Sequence, residues 1–369
     1  MKILVTGANG FVGKNLIAEL KNRGISEIFE FTRKDNLALL DEYLRECNFV
    51  FHLAGVNRSQ DEDEFMDGNF SFTKTLLELL KKHGNLAPVL MTSSIQAELN
   101  NTYGKSKKAG EELLFAYSKK MGVRTLVYRL PNLFGKWCRP NYNSAVATFC
   151  YNIARNIEIQ IHDPNKEIIL CYINDAIAEF IRALECKETR DGAFCYVPVT
   201  NKIKLGVLAE KLYAFSKNRD SLVMPSLENA FDRALYGTYL SYLEEDNLSY
   251  KLKKNMDNRG WLAEFIKSDS MGQIFISKTK PGITRGNHWH HTKVEKFLVI
   301  QGEAVIKFRK VGNEEVLKYK VSGENPEVVD IPVGFTHSIE NTGDEDVITI
   351  FWASEIFNPN KPDTFYLEV

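Results

Sequence analysis

The sequence predicts an α/β domain built on a doubly wound parallel sheet, followed by an all-β domain. Three observations carry that expectation. Up to about residue 185, short apolar runs alternate with amphipathic helical patterns, as βαβ units require. The polar, charged stretch 244–257 then interrupts the pattern and reads as a junction. Beyond it, short β-branched and aromatic runs are separated by Gly, Asn, Asp and Pro, as in a sandwich or barrel. Domains are therefore expected at residues 1–245 and 246–369.

The first element is the strand Ile3-Leu4-Val5, ended by Thr6. Gly7, Gly10 and Gly13 follow at three-residue spacing, and Phe11 and Val12 open a helix through Glu19. A strand that turns sharply into a helix offers free N–H groups and a positive dipole end to a pyrophosphate. Further strands are expected at 28–32, 49–53, 88–92 and 125–128, with helices at 70–82 and 106–120. Helical patterns continue at 205–216 and 226–242. In the last third the candidate strands are 273–278, 296–301, 304–309, 328–331 and 347–352.

The formal net charge of −1 speaks against a nucleic-acid partner, and no apolar run reaches membrane-spanning length. The apolar residues at the N-terminus already belong to the glycine motif, so no signal peptide is expected there. The six cysteines are scattered, with no CxxC pair. Together these readings lead to the expectation of reduced core thiols and a cytoplasmic protein. Four of the seven histidines lie in the final third, which hints at a metal site.

The end of the second strand selects the cofactor. An acid there would take the ribose hydroxyls of NAD, but the sequence reads Thr32-Arg33-Lys34. Two adjacent cations suit a 2′-phosphate, which points to NADPH; Glu30 and Asp35 remain alternative ribose ligands. Tyr103 and Lys107 are four apart and share a helix face. An ammonium beside a phenol lowers its pKa, making Tyr103 a usable acid. Thr92-Ser93-Ser94 ends the preceding strand in hydroxyls that can hold a substrate oxygen or simply cap a turn.

TGANGFVG, FVFHLAG (49–55), SSIQA (93–97), YGKSK (103–107) and RLPNLFG (129–135) stand in the order found in extended short-chain dehydrogenase/reductases. The first 240 or so residues resemble that family, with its Rossmann-type sheet. The resemblance implies Ser94, Tyr103 and Lys107 as catalytic residues. Tyr103 would protonate the substrate oxygen, Ser94 would polarise it and Lys107 would also hold the nicotinamide ribose. It implies cofactor contacts at Gly7, Asn9, Gly10, Phe11, Val12, Gly13, Thr32, Arg33, Lys34, Leu53, Ala54, Gly55, Tyr103, Lys107, Leu130, Asn132 and Leu133. Substrate contacts are expected at Ser94 and Asn132. Arg139, Asn141 and Asn143 are candidates for the nucleotide-sugar phosphates, or else form a surface loop. Members of this family often dimerise through helices such as 70–82 and 106–120, so a homodimer is expected.

In the second half, His288 and His290 are two apart on a strand and project to one face, while His291 points away. Glu295 follows a short turn, and His337 comes from a distant strand. Three imidazoles and a carboxylate converging in a β-barrel make a divalent-metal site. The base for any chemistry there is open among His291, Lys293 and Tyr319. Gly282-x5-His288-x-His290-x4-Glu295-x6-Gly302 and Pro332-x-Gly334-x2-His337-x3-Asn341 match the two motifs of the cupin superfamily, lacking only the first Gly of the second. The donor set suits manganese or iron, whereas four protein ligands would fill the tetrahedral shell of zinc.

A reductase followed by a cupin resembles the bifunctional nucleotide-sugar enzymes of bacterial capsule and O-antigen synthesis that make the precursor of UDP-N-acetyl-L-fucosamine. That resemblance favours zinc. It implies a UDP-linked 4-keto-6-deoxy amino sugar, UDP-2-acetamido-2,6-dideoxy-L-arabino-hexos-4-ulose, as substrate. The cupin would epimerise C3, and the reductase would reduce the C4 ketone with NADPH to UDP-2-acetamido-2,6-dideoxy-L-talose. Two other readings stay open: a cupin that only binds sugar or dimerises, and an iron oxygenase.

Overall fold

The computed structural model describes residues 1–59 and 61–369. The chain divides into two compact units, Met1–Tyr213 with Glu228–Glu244, and Ala214–Leu227 with Glu245–Val369.

The first unit begins with β1 (Ile3–Thr6), α1 (Phe11–Asn22), β2 (Ile28–Phe31), α2 (Leu37–Glu46) and β3 (Phe49–His52). After α3 (Asp63–Met66), a π-helical turn (Asp67–Ser71) and α4 (Phe72–Lys82) come β4 (Val89–Ser94), α5 (Thr102–Met121) and β5 (Thr125–Leu130). Then follow β6 (Asn132–Phe134), α6 (Ala145–Ala154), β7 (Glu167–Tyr172), α7 (Ile173–Leu184), β8 (Arg190–Asp191), β9 (Phe194–Cys195), β10 (Asn201–Lys204), α8 (Leu205–Ser221) and α9 (Ala230–Leu240). The unit boundary falls inside α8.

Seven strands form the main sheet in the order β2-β1-β3-β4-β5-β9-β8, parallel except for the last. Successive side chains of β1 serve opposite faces. Ile3 and Val5 pack with Leu16, Ile17, Ile177 and Phe180 of α1 and α7. Leu4 packs with Leu40, Leu76 and Leu114 of α2, α4 and α5. Helices on both faces explain why β1 and β3 are buried at every position and read as continuous apolar runs. The strand order reverses beside β1, and a crevice at the carboxyl ends of such strands is where this architecture holds ligands.

The second unit is all-β: β11 (Lys254–Asp257), β12 (Gly260–Ser268), β13 (Gly272–Thr279), β14 (Thr284–Trp289), β15 (Glu295–Gln301), β16 (Glu303–Lys310), β17 (Val316–Ser322), β18 (Val328–Ile331), β19 (Phe335–Asn341), β20 (Val347–Ala353) and β21 (Phe365–Tyr366). Two antiparallel sheets, β11-β12-β13-β20-β15-β18 and β17-β16-β19-β14-β21, share one core that includes Phe297, Ile306, Phe308, Ile339 and Phe351. The fold class is the one the sequence predicts.

Two expectations are corrected here. The stretch 244–257 is not all junction, because 254–257 is the edge strand β11, paired with β12. All four of its residues are exposed, so no apolar alternation announces it. The cysteines are free, but Cys186 is exposed and Cys138 half-buried; only the other four lie in cores. Among the described residues, no helix is long and apolar enough to cross a membrane.

Candidate active site and metal centre

The turn from β1 into α1 is shaped by its glycines. Gly7 has φ of +69°, and a Cβ there would stand 2.9 Å from the Ala54 nitrogen. A Cβ on Gly13 would run into the Gly7 carbonyl. Gly10 occupies the cap position of α1, and no side chain caps the helix. Gly10 to Gly13 instead line a cavity of about 720 Å³ at the carboxyl ends of the strands. Uncapped N–H groups at a cavity wall are anion donors.

The same cavity takes in most of the sites expected from the sequence. Gly7, Asn9, Gly10, Phe11, Val12, Gly13, Thr32, Arg33, Leu53, Ala54, Gly55, Ser94, Tyr103, Lys107, Leu130, Asn132, Leu133, Arg139 and Asn143 all line it. Lys34 and Asn141 do not. Asn141 instead holds a left-handed turn, its N–H donating to Thr148 Oγ1 at 3.0 Å. The two acids near Arg33 are engaged: Glu30 pairs with Lys21 at 2.9 Å, and Asp35 accepts from the Thr32 N–H and hydroxyl, each at 2.7 Å.

Helix α5 starts at Asn101, whose side chain accepts from the Gly104 N–H at 2.7 Å, and so carries both Tyr103 and Lys107. Lys107 is buried; its Nζ donates to the Thr92 carbonyl at 3.4 Å and fills the space that a Cβ on Gly55 would take. Burial pulls this ammonium down to about 8, against the opposing charge of Glu111. The phenol behaves contrary to expectation. Burial raises Tyr103 above its ordinary value, a hydrogen bond with Ser94 opposes this, and Lys107 does not reverse it. A phenol that keeps its proton is a donor in waiting, not a ready anion.

Ser94 Oγ also accepts from the Gln96 N–H at 3.1 Å, so it caps the turn as well as facing the cavity. Ser93 turns inward, donating to Glu111 Oε1 at 2.5 Å, and Arg129 grips the same carboxylate through Nε and Nη2. That clamp ties β4, β5 and α5 together directly beneath Ser94. Asn57 was missed by sequence reading, yet it accepts from the Tyr103 hydroxyl at 3.2 Å and lines the cavity. Its one signal is to be the first amide after the strand end 53–55. Trp137, another lining residue, takes a left-handed φ of +68° that nothing in the local sequence announces.

In the second unit, His288, His290, Glu295 and His337 bring their ligand atoms within 4.8 Å of one another. His288 pairs across the ladder with His337. A bulge at Gly286/His288 shifts the register, pairing resumes at His288, and β14 ends at Trp289, so His290 lies one residue beyond the strand rather than on it. The His290 and His337 Nε2 atoms each stand 3.5 Å from Glu295 Oε2. Both nitrogens are buried and have no hydrogen-bond partner, a cost that ligation removes. Burial, then the neighbouring His337, pulls His288 down to about 4. Burial alone would raise Glu295, but the facing His290 and His337 rings outweigh it and hold the carboxyl well below the usual range. Three ring nitrogens and a carboxylate oxygen this close together form a donor set that fits a divalent cation.

Of the three candidate bases, His291 is exposed and packs on Trp289 and Phe365, and Tyr319 is exposed against Phe308. Lys293 is buried, its Nζ 3.6 Å from Glu295 Oε1.

A model described as the NAD dependent epimerase/dehydratase family matches residues 3–194. The chain belongs to that family. Membership makes a nicotinamide dinucleotide the cofactor class of the glycine-lined cavity. A second model, the polysaccharide biosynthesis C-terminal domain, matches residues 255–365. A Pseudomonas aeruginosa protein named UDP-2-acetamido-2,6-beta-L-arabino-hexul-4-ose reductase is 45% identical, covering 100% of this chain and 99% of its own. The crystal structure of capsular polysaccharide assembling protein CapF from Staphylococcus aureus superposes with a TM-score of 0.95 at 50% identity, over the whole of both chains. A structure of CapF with the inhibitor 3-isopropenyl-tropolone gives 0.90 at 46%, again over both whole chains.

Proposed function

We propose that the chain converts UDP-2-acetamido-2,6-dideoxy-L-arabino-hexos-4-ulose to UDP-2-acetamido-2,6-dideoxy-L-talose, as a C3-epimerase and NADPH-dependent C4-ketoreductase in capsule or O-antigen synthesis. Residues 1–245 are the reductase with its substrate subdomain, and 246–369 a zinc-binding cupin; the working form is a homodimer. The reading rests chiefly on the convergence of Ser94, Tyr103 and Lys107 on the glycine-lined cavity. The name of the 45% identical, full-length relative supports the substrate.

The glycine turn, Arg33 and Lys107 lining that cavity would hold NADPH, whose chemistry would be hydride donation to the C4 carbon. Tyr103 passes its hydroxyl proton to the C4 oxygen, and Ser94 Oγ donates a hydrogen bond to the same atom. The buried Lys107 ammonium favours the phenolate left behind. Arg33 favours the 2′-phosphate, since Glu30 and Asp35 are engaged elsewhere. In the second unit, His288, His290, Glu295 and His337 would hold the ion, which supplies positive charge where negative charge develops as C3 loses its proton. A tropolone presents two adjacent oxygens suited to chelation, so an inhibitor of that class on CapF supports a metal here.

Epimerisation next to a ketone is reversible until the ketone is reduced, so reduction fixes the new centre. Full-length protein in D2O with the 4-keto sugar and no NADPH is expected to wash deuterium into C3, and with NADPH to give the talo product by NMR. Absence of exchange removes the epimerase, and an O2 requirement would favour an oxygenase. Tyr103→Phe is expected to lower reduction by about 10²–10⁴-fold while sparing exchange. Loss of both would refute separate sites.

A further inference from the structure

Between His290 and Glu295 the chain must turn tightly and still aim two ligands at one point. Three of the four N–H groups of that turn converge on one distant carboxylate, and the fourth, of Val294, donates to Ser354 Oγ. His291 N–H donates to Asp363 Oδ1 at 2.9 Å, and the Thr292 and Lys293 N–H groups donate to Oδ2 at 2.8 and 2.9 Å. The Thr292 hydroxyl adds a fourth donor, to Oδ2 at 3.0 Å. The carbonyl of the same Asp363 faces His290 Nδ1 at 2.5 Å. A carbonyl can only accept, so Nδ1 carries a proton, and in the neutral tautomer that a metal ligand requires the lone pair belongs to Nε2. That Nε2 is the buried, unpartnered atom aimed at Glu295.

The residues after Asp363 continue the support. Thr364 Oγ1 accepts from Lys293 Nζ at 3.1 Å, and Tyr366 pairs with His288 in the β14–β21 ladder. The Leu367 N–H donates to the Asn287 carbonyl at 3.0 Å, while the Leu367 carbonyl takes the hydroxyl of Thr336, the neighbour of His337.

We propose that Asp363 is a positioning residue of the metal centre: its carboxylate sets the His290–Glu295 turn and its carbonyl fixes the His290 tautomer that exposes Nε2 to the ion. This rests on the metal reading above. Outer partners of this kind orient ligands, and their removal typically weakens a metal site by about 10–100-fold.

The test uses the full-length protein stripped of metal and titrated with zinc against a chelating dye. Asp363→Ala is expected to weaken zinc binding by about 10–100-fold, with NADPH affinity and the metal-free melting temperature little changed. Asp363→Asn, which keeps one oxygen and no charge, is expected to fall between. Zinc affinity equal to wild type in both variants overturns the proposal. Failure of the wild type to bind zinc instead removes the metal reading on which it stands. Should Asp363→Ala not fold, ¹⁵N NMR of the imidazoles in metal-free wild type decides independently. His290 protonated on Nδ1 is the expected result, and the Nε2–H tautomer overturns it.

Discussion

Lys107 and His52 are both buried bases whose charge the fold resists, but for different ends. His52 is fixed between two threonines: Thr6 Oγ1 lies 2.9 Å from Nδ1, and Nε2 lies 2.8 Å from Thr73 Oγ1. Thr73 already donates to the Asn69 carbonyl at 2.7 Å, so it must accept from Nε2–H, and Thr6 must donate to Nδ1. Burial, with the Lys107 charge adding to it, pulls His52 from about 6.5 down to about 3. Between those values the unfolded chain binds a proton that the fold does not, so stability rises with pH across that window and is lost as pH falls through it. The slope of unfolding free energy between pH 6.5 and 3, measured in urea, is expected to be shallower by about one proton in His52→Asn than in wild type. Equal slopes would mean that His52 titrates normally in the fold. Arg33→Ala is expected to raise KM for NADPH by about 10–100-fold and to leave KM for NADH nearly unchanged, as loss of a charge-assisted bond to the 2′-phosphate requires. Parallel rises would place Arg33 outside 2′-phosphate recognition.

The junction of β1 and α1 shows how an element is written into sequence. Gly7 needs a left-handed φ and Gly13 a bare Cα, so only glycine satisfies the turn, and the motif is legible without a structure. Gly13→Ala is therefore expected to weaken cofactor binding sharply, measured by fluorescence titration, and to destabilise the unit by about 1–3 kcal/mol. Undiminished affinity would show that the turn tolerates a methyl group. Tyr103 and Lys107 were legible for a similar local reason, because helix α5 sets their spacing. The ligands His288, His290, Glu295 and His337 announced themselves by residue type, although the bulge before His288 and the end of the strand at Trp289 did not. Asp363 was illegible. It stands 73 residues from His290, and an aspartate in a polar segment carries no mark of its partner. The raised Tyr103 was missed because sequence shows a neighbouring lysine but not the burial that outweighs it.

At the scale of the molecule, every residue proposed for reduction belongs to the first unit and every proposed metal ligand to the second. The named residues of each site lie within one unit, so damage to one set is expected to leave the other working. Full-length Tyr103→Phe and His337→Ala chains, each expected to form the talo product far more slowly than wild type alone, are expected to regain the rate when mixed with NADPH and the 4-keto sugar. A silent mixture of two folded variants would mean that the steps cannot be shared between chains. The supports running from Asp363 to Leu367 also change how alleles of such a gene should be judged. A nonsense codon at position 363 spares the codons of all four histidine and glutamate ligands and of the glycine motif at Gly7, Gly10 and Gly13. Screening by motif would score that allele as intact, although it has lost the residues that brace three of the four.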